Sequence, residues 1–312
     1  MIKIDWQKVG RIVKPQNFNW MLTHAMCPTP EVLDNKSIRI YFSGRNKKNQ
    51  SVIGFSDLIF DNFPKKFRVK YYSKPILKPG PLGTFDDNGV TPTCLIKKKR
   101  DKYLYYVGWN QGTNVRMHLF GGLAIKKNNY KNFYRYSNAP IIERNKINPF
   151  LNTAPFIIKI KNKWVMYYVA GQGWLHKDLP RYNIQIATSK NLLDWKRDGK
   201  IAIDFKNKNE MALARPWVIK IHNKYYMWFS AKNNWLKGSN YKICCAVSKN
   251  GFKWKRINKF VIKKSKIGWD SEMVEYVSIV KFNKKLLMFY NGNNFGKNGF
   301  GMAVSKQNFD SK

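Results

Sequence analysis

Acidic residues are scarce in this sequence, since 18 Asp and Glu stand against 58 Lys and Arg in 312 residues, giving a formal net charge of +40. Most of the basic residues are Lys spread over turns, whereas specific readers of bases and phosphates favour the planar fork of Arg. No nucleic-acid-binding motif is present. We therefore expect a solvated, Lys-rich surface and no specific nucleic-acid partner, with weak attraction to anions following from the charge.

Cysteine and histidine are also few, at four residues each, and none of them has the spacing of a metal-binding motif. We therefore expect no metal and no cofactor. The first residues lack the apolar core of a signal peptide, and no apolar run is long enough to span a membrane. These absences predict a soluble protein of a reducing cytoplasm without a membrane span, and they leave the oligomeric state open.

No segment has a convincing helical period, but strand-like phrases recur along the chain. The phrases "KWVMYYVAGQGW", "KYYMWFSAKNNW" and "KLLMFYNGNNFG" place Met166, Met227 and Met288 at equivalent positions, 61 residues apart. Leu104 and Ile40 continue the series upstream at intervals of 62 and 64 residues. The sequence thus predicts five repeats of about sixty residues, centred near 40, 104, 166, 227 and 288.

A second set of equivalent positions lies 11 or 12 residues before those centres, and we call these the anchor positions: Pro28, Pro92, Pro155, Pro216 and Val277. Each repeat reads as a strand at the anchor, a turn with Asn, Lys or Asp, a strand rich in Tyr, Trp and Met, a polar loop, and a third strand. This pattern predicts an all-β, five-bladed β-propeller formed by residues 1–312 as a single domain.

The two ends of the chain predict how the propeller closes. The third repeat continues into "DWKRDGKIA" as an outermost strand, but the fifth repeat stops without such a strand. The N-terminal "DWQKVGRIV", residues 5–13, matches the missing segment. We expect this N-terminal strand to complete the last blade, because sheet edges need to be paired or guarded.

Carboxylates are concentrated just before the anchor positions, where the loops entering the innermost strands of a propeller converge at one mouth. Six of the 18 lie in the seven residues before an anchor, more than chance would place there: Asp86, Asp87, Glu210, Asp270, Glu272 and Glu275. Carboxylates in an aromatic-rich funnel suit acid and base chemistry on a glycosidic bond. We predict Asp87, Glu272 and Glu275 as catalytic candidates and Asp270 as a substrate ligand, with turn capping or pairing with Lys as the alternative for each.

Other side chains are predicted to reach the same mouth. Arg215 and His24, just before their anchors, suit the binding of phosphate or sugar hydroxyls, with a salt bridge or a structural hydrogen bond as the alternative. Aromatic faces that stack on sugars, and amides that bind hydroxyls, occur in or beside the loops after the second strands: Trp109, Asn110, Trp174, Tyr182, Trp235 and Asn293.

The phrases "FDDNGVTPTCLI", "YLYYVGWNQG", "ARPWVIK" and "GWDSEMVEYVSIV" resemble the five-bladed propeller superfamily of glycosidases, which includes arabinanases, β-fructosidases and mannoside phosphorylases. The resemblance covers nearly the whole chain and is nearest to a branch associated with bacterial surface polysaccharides. It implies a central-funnel active site with carboxylates from different blades. The first repeat has His24 where many hydrolases of the superfamily have an aspartate, which leaves phosphorolysis or glycosyl transfer open.

We thus predict a glycoside-active enzyme, a hydrolase or a phosphorylase-like enzyme, acting on a bacterial sugar or glycan, with phosphate or a nucleotide sugar as a possible second substrate. Two alternatives remain open. One is a transferase that uses a nucleotide-linked sugar or another activated donor in polysaccharide biosynthesis, and the other is a non-catalytic sugar-binding propeller. Dependence of activity on phosphate separates hydrolysis from phosphorolysis, and binding without turnover favours the binding protein.

Overall fold

The computed structural model describes residues 3–233 and 240–309. Over these residues the chain is almost entirely β-strand, which confirms the all-β prediction. The elements in chain order are β1 (Trp6–Val13), β2 (Thr23–Val32), β3 (Ser37–Arg45), β4 (Ser51–Asn62), β5 (Lys66–Tyr71), β6 (Gly89–Lys98), β7 (Asp101–Gln111), β8 (Met117–Lys126), β9 (Tyr134–Arg135), β10 (Asn152–Ile160), β11 (Lys163–His176), β12 (Leu179–Ser189), β13 (Ile201–Ile203), β14 (Glu210–Ile221), β15 (Lys224–Asn233), β16 (Lys242–Ser248), β17 (Lys255–Ile257), β18 (Glu275–Phe282), β19 (Lys285–Asn291), α1 (Asn293–Gly296) and β20 (Phe300–Ser305).

The strands form five antiparallel groups of four over the described residues. Strands β2 to β5, β6 to β9, β10 to β13 and β14 to β17 pair in chain order within their groups. In the fifth group the order is β18, β19, β20 and then β1. The N-terminal strand β1 therefore pairs antiparallel with β20, near the other end of the chain.

Short turns explain why these segments form hairpins. Two residues separate the first and second strands in each of the last four groups. Lys99, Lys161 and His222 in these turns have φ values of 55°, 53° and 50°. Positive φ at a two-residue turn matches the right-handed twist of the strands that it joins.

The second strands are buried on both faces because neighbouring groups cover them. Tyr105 and Tyr106 are adjacent in β7, point to opposite faces, and are both fully buried. Such strands therefore read as continuous apolar and aromatic runs rather than as alternating ones. Within the described residues, no helix has the length and apolar character that a membrane crossing requires.

The first strands of the groups are neighbours in a cyclic order. Strand β6 contacts β2 and β10, and β14 contacts β10 and β18. Strand β18 in turn contacts β2, and Phe289 and Phe300 of the fifth group share an apolar cluster with Ile40 and Phe42 of the first. Residues at the beginnings of these five strands consequently lie near one another.

Candidate functional site

One residue from each of the five repeats lines a shared cavity of about 90 Å³. These residues immediately precede the anchor positions, and they are Cys27, Thr91, Ala154, Arg215 and Tyr276. About 10–15 Å³ is the minimum volume that holds one water, so this cavity has room for more than one. The five repeats thus converge on a single concave site.

A bulge in each group directs these residues toward the cavity. The pairing of the first and second strands changes register at or beside the anchor in all five groups. Cys27, Ala154, Arg215 and Tyr276 have φ values of 58°, 48°, 49° and 52°. Non-glycine residues with positive φ are uncommon and concentrate at functional sites, and bulges re-aim side chains there.

The remaining wall of the cavity is largely apolar and aromatic. Trp109 and Tyr182, both predicted as sugar contacts, line it, and Thr91, Thr93 and Thr153 add hydroxyl groups. The Tyr182 hydroxyl is hydrogen-bonded to that of Tyr241, and burial raises the pKa of Tyr182 to about 12. Tyr182 is therefore a neutral hydrogen-bonding group at neutral pH.

Glu275 is fully buried at the start of β18, next to the cavity residue Tyr276. Its Oε1 accepts a 3.4 Å hydrogen bond from Nδ2 of Asn291, and its Oε2 has no hydrogen-bond partner. Burial raises the pKa of the Glu275 carboxyl to about 8, and the hydrogen bond from Asn291 and the charge of Arg215 only partly oppose this rise. At neutral pH this carboxyl is mainly protonated.

Asn291 is a site residue that the sequence analysis missed. Its Oδ1 accepts a 2.9 Å hydrogen bond from the backbone N–H of Cys27, while its amide nitrogen donates to Glu275. It thus connects the fifth repeat to the first across the site. The sequence held a signal, because Asn291 ends the second strand of its group, and Asn110 in "GWNQG" lies near the end of the second strand of its own.

Arg215 is buried and joins three repeats. Its Nη1 donates to the carbonyl of Tyr276 at 2.8 Å, and its Nη2 donates to the carbonyl of Pro28 at 2.9 Å and to Oγ1 of Thr29 at 2.9 Å. Its Nε has no partner. Among the described residues no carboxylate forms an ion pair with Arg215, so its charge is compensated only by neutral acceptors.

None of the three catalytic candidates lines the cavity: Glu275 is adjacent in sequence to the lining residue Tyr276, and Asp87 and Glu272 also lie outside the wall. Asp87 is half-buried, and its Oδ1 accepts a 2.9 Å hydrogen bond from Nδ2 of Asn110. Glu272 is exposed. Asn293, predicted to bind substrate, instead uses its Oδ1 to accept from the backbone N–H of Glu272 at 2.8 Å and of Met273 at 3.1 Å.

Three of the six clustered carboxylates form buried ion pairs with the outermost strand of their own group. Asp86 pairs with Arg135 of β9 at 2.9 Å, Glu210 with Arg256 of β17 at 2.7 Å, and Asp270 with Lys8 of β1 at 2.6 Å. The Tyr106 and Tyr290 hydroxyls also donate to Asp86 and Asp270.

These ion pairs explain much of the acidic clustering as architecture, because each carboxylate ties a loop to an edge strand. Asp270, predicted to bind substrate, already faces a cation and a hydroxyl donor. The sequence signal for the basic partners is an aromatic residue two positions before each of them, as in Trp6 before Lys8 and Trp254 before Arg256.

His24 is half-buried beside the mouth with a φ of 59°, and its Nδ1 lies 3.0 Å from Oγ1 of Thr23. Burial and the charges of Arg45 and Lys297 lower the pKa of His24 to about 4, so the imidazole is neutral at neutral pH. Trp174 packs against the same apolar cluster as Trp109, and Trp235 lies outside the described residues.

Among the described residues, no three or more His, Cys, Asp or Glu side chains are grouped to hold a metal ion. The four cysteines are free thiols.

Solved structures of glycoside-active enzymes share this architecture. A glycosyl hydrolase from Bacteroides ovatus is similar with a TM-score of 0.73 and 14% identity, covering 99% of this chain and 96% of that one. A protein of the GH130 family of mannoside phosphorylases, which contains glycoside hydrolases that target β-1,2 mannosidic linkages in Candida mannan, is similar with a TM-score of 0.72 and 14% identity, covering 97% and 94%. The fold is therefore that of the propeller-like glycoside hydrolases and mannoside phosphorylases, as the sequence resemblance predicted.

No family model matches the chain. It is 33% identical over 303 residues to the uncharacterized protein Rv1502 of Mycobacterium tuberculosis (strain ATCC 25618 / H37Rv), a match that covers 96% of this chain and 98% of that protein. The chain belongs to the family of that protein.

Proposed function

We propose that the protein is a glycoside hydrolase or phosphorylase-like enzyme that cleaves a bacterial sugar or glycan in the cavity at the centre of a closed, five-bladed, single-domain propeller. The cyclic contacts of the first strands and the pairing of β1 with β20 support the five blades and their closure. The four free thiols suit a reducing cytoplasm.

The observation that carries this proposal is the buried carboxyl of Glu275 beside a cavity to which all five repeats contribute. Glycoside cleavage needs one carboxylic acid that keeps its proton until it protonates the leaving oxygen. Burial gives Glu275 a pKa of about 8, so it carries that proton at neutral pH. Glu275 is thus our candidate for the general acid.

The reaction also needs an ionised carboxylate that acts as a nucleophile or activates water or phosphate. Asp87 is the better candidate for two reasons. Asn110 fixes the orientation of its side chain by a hydrogen bond. Asp87 also lies just before β6, at the same end of the strands as Glu275 at the start of β18. Glu272 remains the second candidate. It lies on a loop, and its backbone N–H donates a hydrogen bond to Asn293. Trp109 supplies an aromatic face for a sugar ring, since it lines the cavity.

A glycan panel tests this function. The purified protein is incubated with bacterial oligosaccharides with and without inorganic phosphate, and the products are separated by chromatography. We expect cleavage that Asp87→Asn and Glu275→Gln each reduce at least about a hundredfold, the scale of general acid–base catalysis. Glu143→Gln, an exposed carboxylate outside the cavity wall, is the matched control and should keep full activity.

Stimulation by phosphate, with sugar phosphates as products, indicates phosphorolysis, and its absence indicates hydrolysis. Specific sugar binding without turnover on any glycan would contradict the enzymatic proposal and favour a binding protein. Unchanged activity in Glu275→Gln would contradict the assignment of the acid.

A further inference from the structure

Arg215 lines the cavity, and two further arginines lie at the same end of the strands. Arg45 ends β3 and pairs with Thr23 at the start of β2. Arg116 is exposed and directly precedes β8, and its charge acts on the cavity residue Tyr182. The only buried carboxyl next to this group, within the described part of the chain, is Glu275, which is mainly neutral at neutral pH. Arg215 is therefore the charged residue of the cavity wall, and the ionised candidates Asp87 and Glu272 lie outside that wall.

Some arginines elsewhere in the fold have a carboxylate partner. Arg39 bonds Asp57 through two nitrogens at 2.8 and 2.9 Å, and Arg135 and Arg256 each pair with a buried carboxylate. In contrast, no described carboxylate lies within ion-pairing distance of Arg45, Arg116 or Arg215. Arg215 is therefore a buried cation in the cavity wall without the carboxylate partner that Arg39, Arg135 and Arg256 have.

Buried polar atoms at the cavity also lack partners. Nε of Arg215 and Oγ1 of Thr153 are buried without a hydrogen bond, and both residues line the cavity. An unpaired buried donor is costly unless a ligand supplies the acceptor. The Arg215 side chain is held in place by its other hydrogen bonds, so its orientation at the cavity is fixed.

We propose that the sugar bound in this cavity carries an oxyanion, a carboxylate or a phosphate ester, which the arginines around the cavity recognise. This inference rests on the proposed function and names its substrate class. The planar guanidinium groups match carboxylate and phosphate oxygens, and the partly buried setting strengthens the interaction. The aromatic and aliphatic wall contacts the sugar ring, while the charged groups select acidic sugars over neutral ones.

Matched ligand pairs test the proposal in the full-length protein at constant ionic strength. Glucuronate, galacturonate and glucose 6-phosphate are compared with glucose and galactose by thermal shift and titration calorimetry, and inorganic phosphate alone is a separate arm. We expect at least one acidic sugar to bind at least about tenfold more tightly than its neutral counterpart.

The variants Arg45→Gln and Arg116→Gln should each remove most of that preference, while Arg45→Lys and Arg116→Lys, which retain the charge, should keep part of it. Arg100→Gln makes the same charge change in the turn between β6 and β7, at the opposite end of the strands, and should leave the preference unchanged. If the Gln variants fail to fold, the Lys variants and the comparison of ligands on the wild-type protein still test the proposal.

Equal binding of acidic and neutral sugars, or a preference that survives both Gln variants, would overturn the proposal. A response to inorganic phosphate but to no acidic sugar would also overturn it, and would assign the positive charge to a phosphate co-substrate. Turnover of neutral glycans alone would refute the inference and leave the proposed function standing. Binding of acidic sugars without turnover of any glycan would support the inference about the ligand and refute the proposed enzymatic function.

Discussion

Two buried carboxyl groups only five residues apart, Asp270 and Glu275, have opposite surroundings. Asp270 faces the ammonium of Lys8 and the hydroxyl of Tyr290, so its charged form is compensated. Glu275 has one long hydrogen bond from Asn291 and an unpartnered Oε2, so burial without compensation favours its neutral form. The environment, rather than the residue type, therefore suits Asp270 to holding strand β1 and Glu275 to donating a proton.

The raised pKa of Glu275 predicts a pH dependence of stability. The folded state keeps this proton to about pH 8, whereas the unfolded carboxyl loses it near its ordinary pKa of 4.5. The stabilising contribution of the neutral form is thus complete below that ordinary pKa and is lost as the pH rises toward and through 8. Glu275→Gln mimics the neutral form, so we expect its melting temperature to exceed that of the wild type increasingly between pH 5 and pH 9.

Thermal denaturation across this range measures the effect, with the exposed Glu272→Gln as the matched control that should follow the wild type. Parallel curves for wild type and Glu275→Gln would show that Glu275 does not titrate in this way.

At the scale of elements, three of the five outermost strands are very short, and ion pairs hold two of these three in place. Strands β9, β13 and β17 span only two or three residues. Arg135 and Arg256 nevertheless connect β9 and β17 to buried carboxylates. Strand β1, which plays the corresponding part in the fifth group, is longer and carries Lys8 for Asp270. In these three groups the ion pair fixes the edge strand to a carboxylate just before, or at the start of, the first strand of the group.

Removal of β1 should be strongly destabilising. It pairs with β20 over most of its length, and Trp6 Nε1 donates to the carbonyl of Phe260 at 2.9 Å. Deleting residues 1–13 exposes the β20 edge and leaves Asp270 without its cation, and losing one partner of a buried pair alone costs about 3–5 kcal/mol. We expect a markedly lower melting temperature, or aggregation.

The point variant Lys8→Met isolates the ion pair from the strand and should destabilise less than the deletion. Gln7→Ala, at the exposed neighbour of Lys8, is its control and should be nearly neutral. A truncated protein that melts with the full chain would refute the role of β1 in closure.

At the scale of the whole molecule, the net charge of +40 predicts attraction to polyanions without specificity. Binding to DNA should be weak, independent of sequence and steeply reduced by salt, because it rests on release of counterions from phosphates. Fluorescence anisotropy with two unrelated duplexes of equal length, titrated at several salt concentrations, measures this. Tight binding at high salt, or a clear preference between the duplexes, would show a specific nucleic-acid site.

The repeat period, the strand-rich phrases and the match between the N-terminal and internal edge-strand sequences were enough to predict an all-β fold and its resemblance to glycosidases. These features are local or periodic, so they can be read without knowing which residues meet. The same periodicity marked the anchor positions, and five of the residues that line the cavity directly precede them.

Only the tertiary structure decided which of the clustered carboxylates form ion pairs and which one is buried without a cationic partner. In the sequence Asp86, Asp270 and Glu275 look alike, since each lies a few residues before an anchor. Asp86 meets Arg135 from 49 positions away, and Asp270 meets Lys8 from 262 positions away. Glu275 has no cation at hydrogen-bonding distance and is bonded only by the amide of Asn291. Desolvation and pairing act through space, so the charge state of a buried carboxyl and the uncompensated arginines around the cavity follow from packing rather than from spacing along the chain.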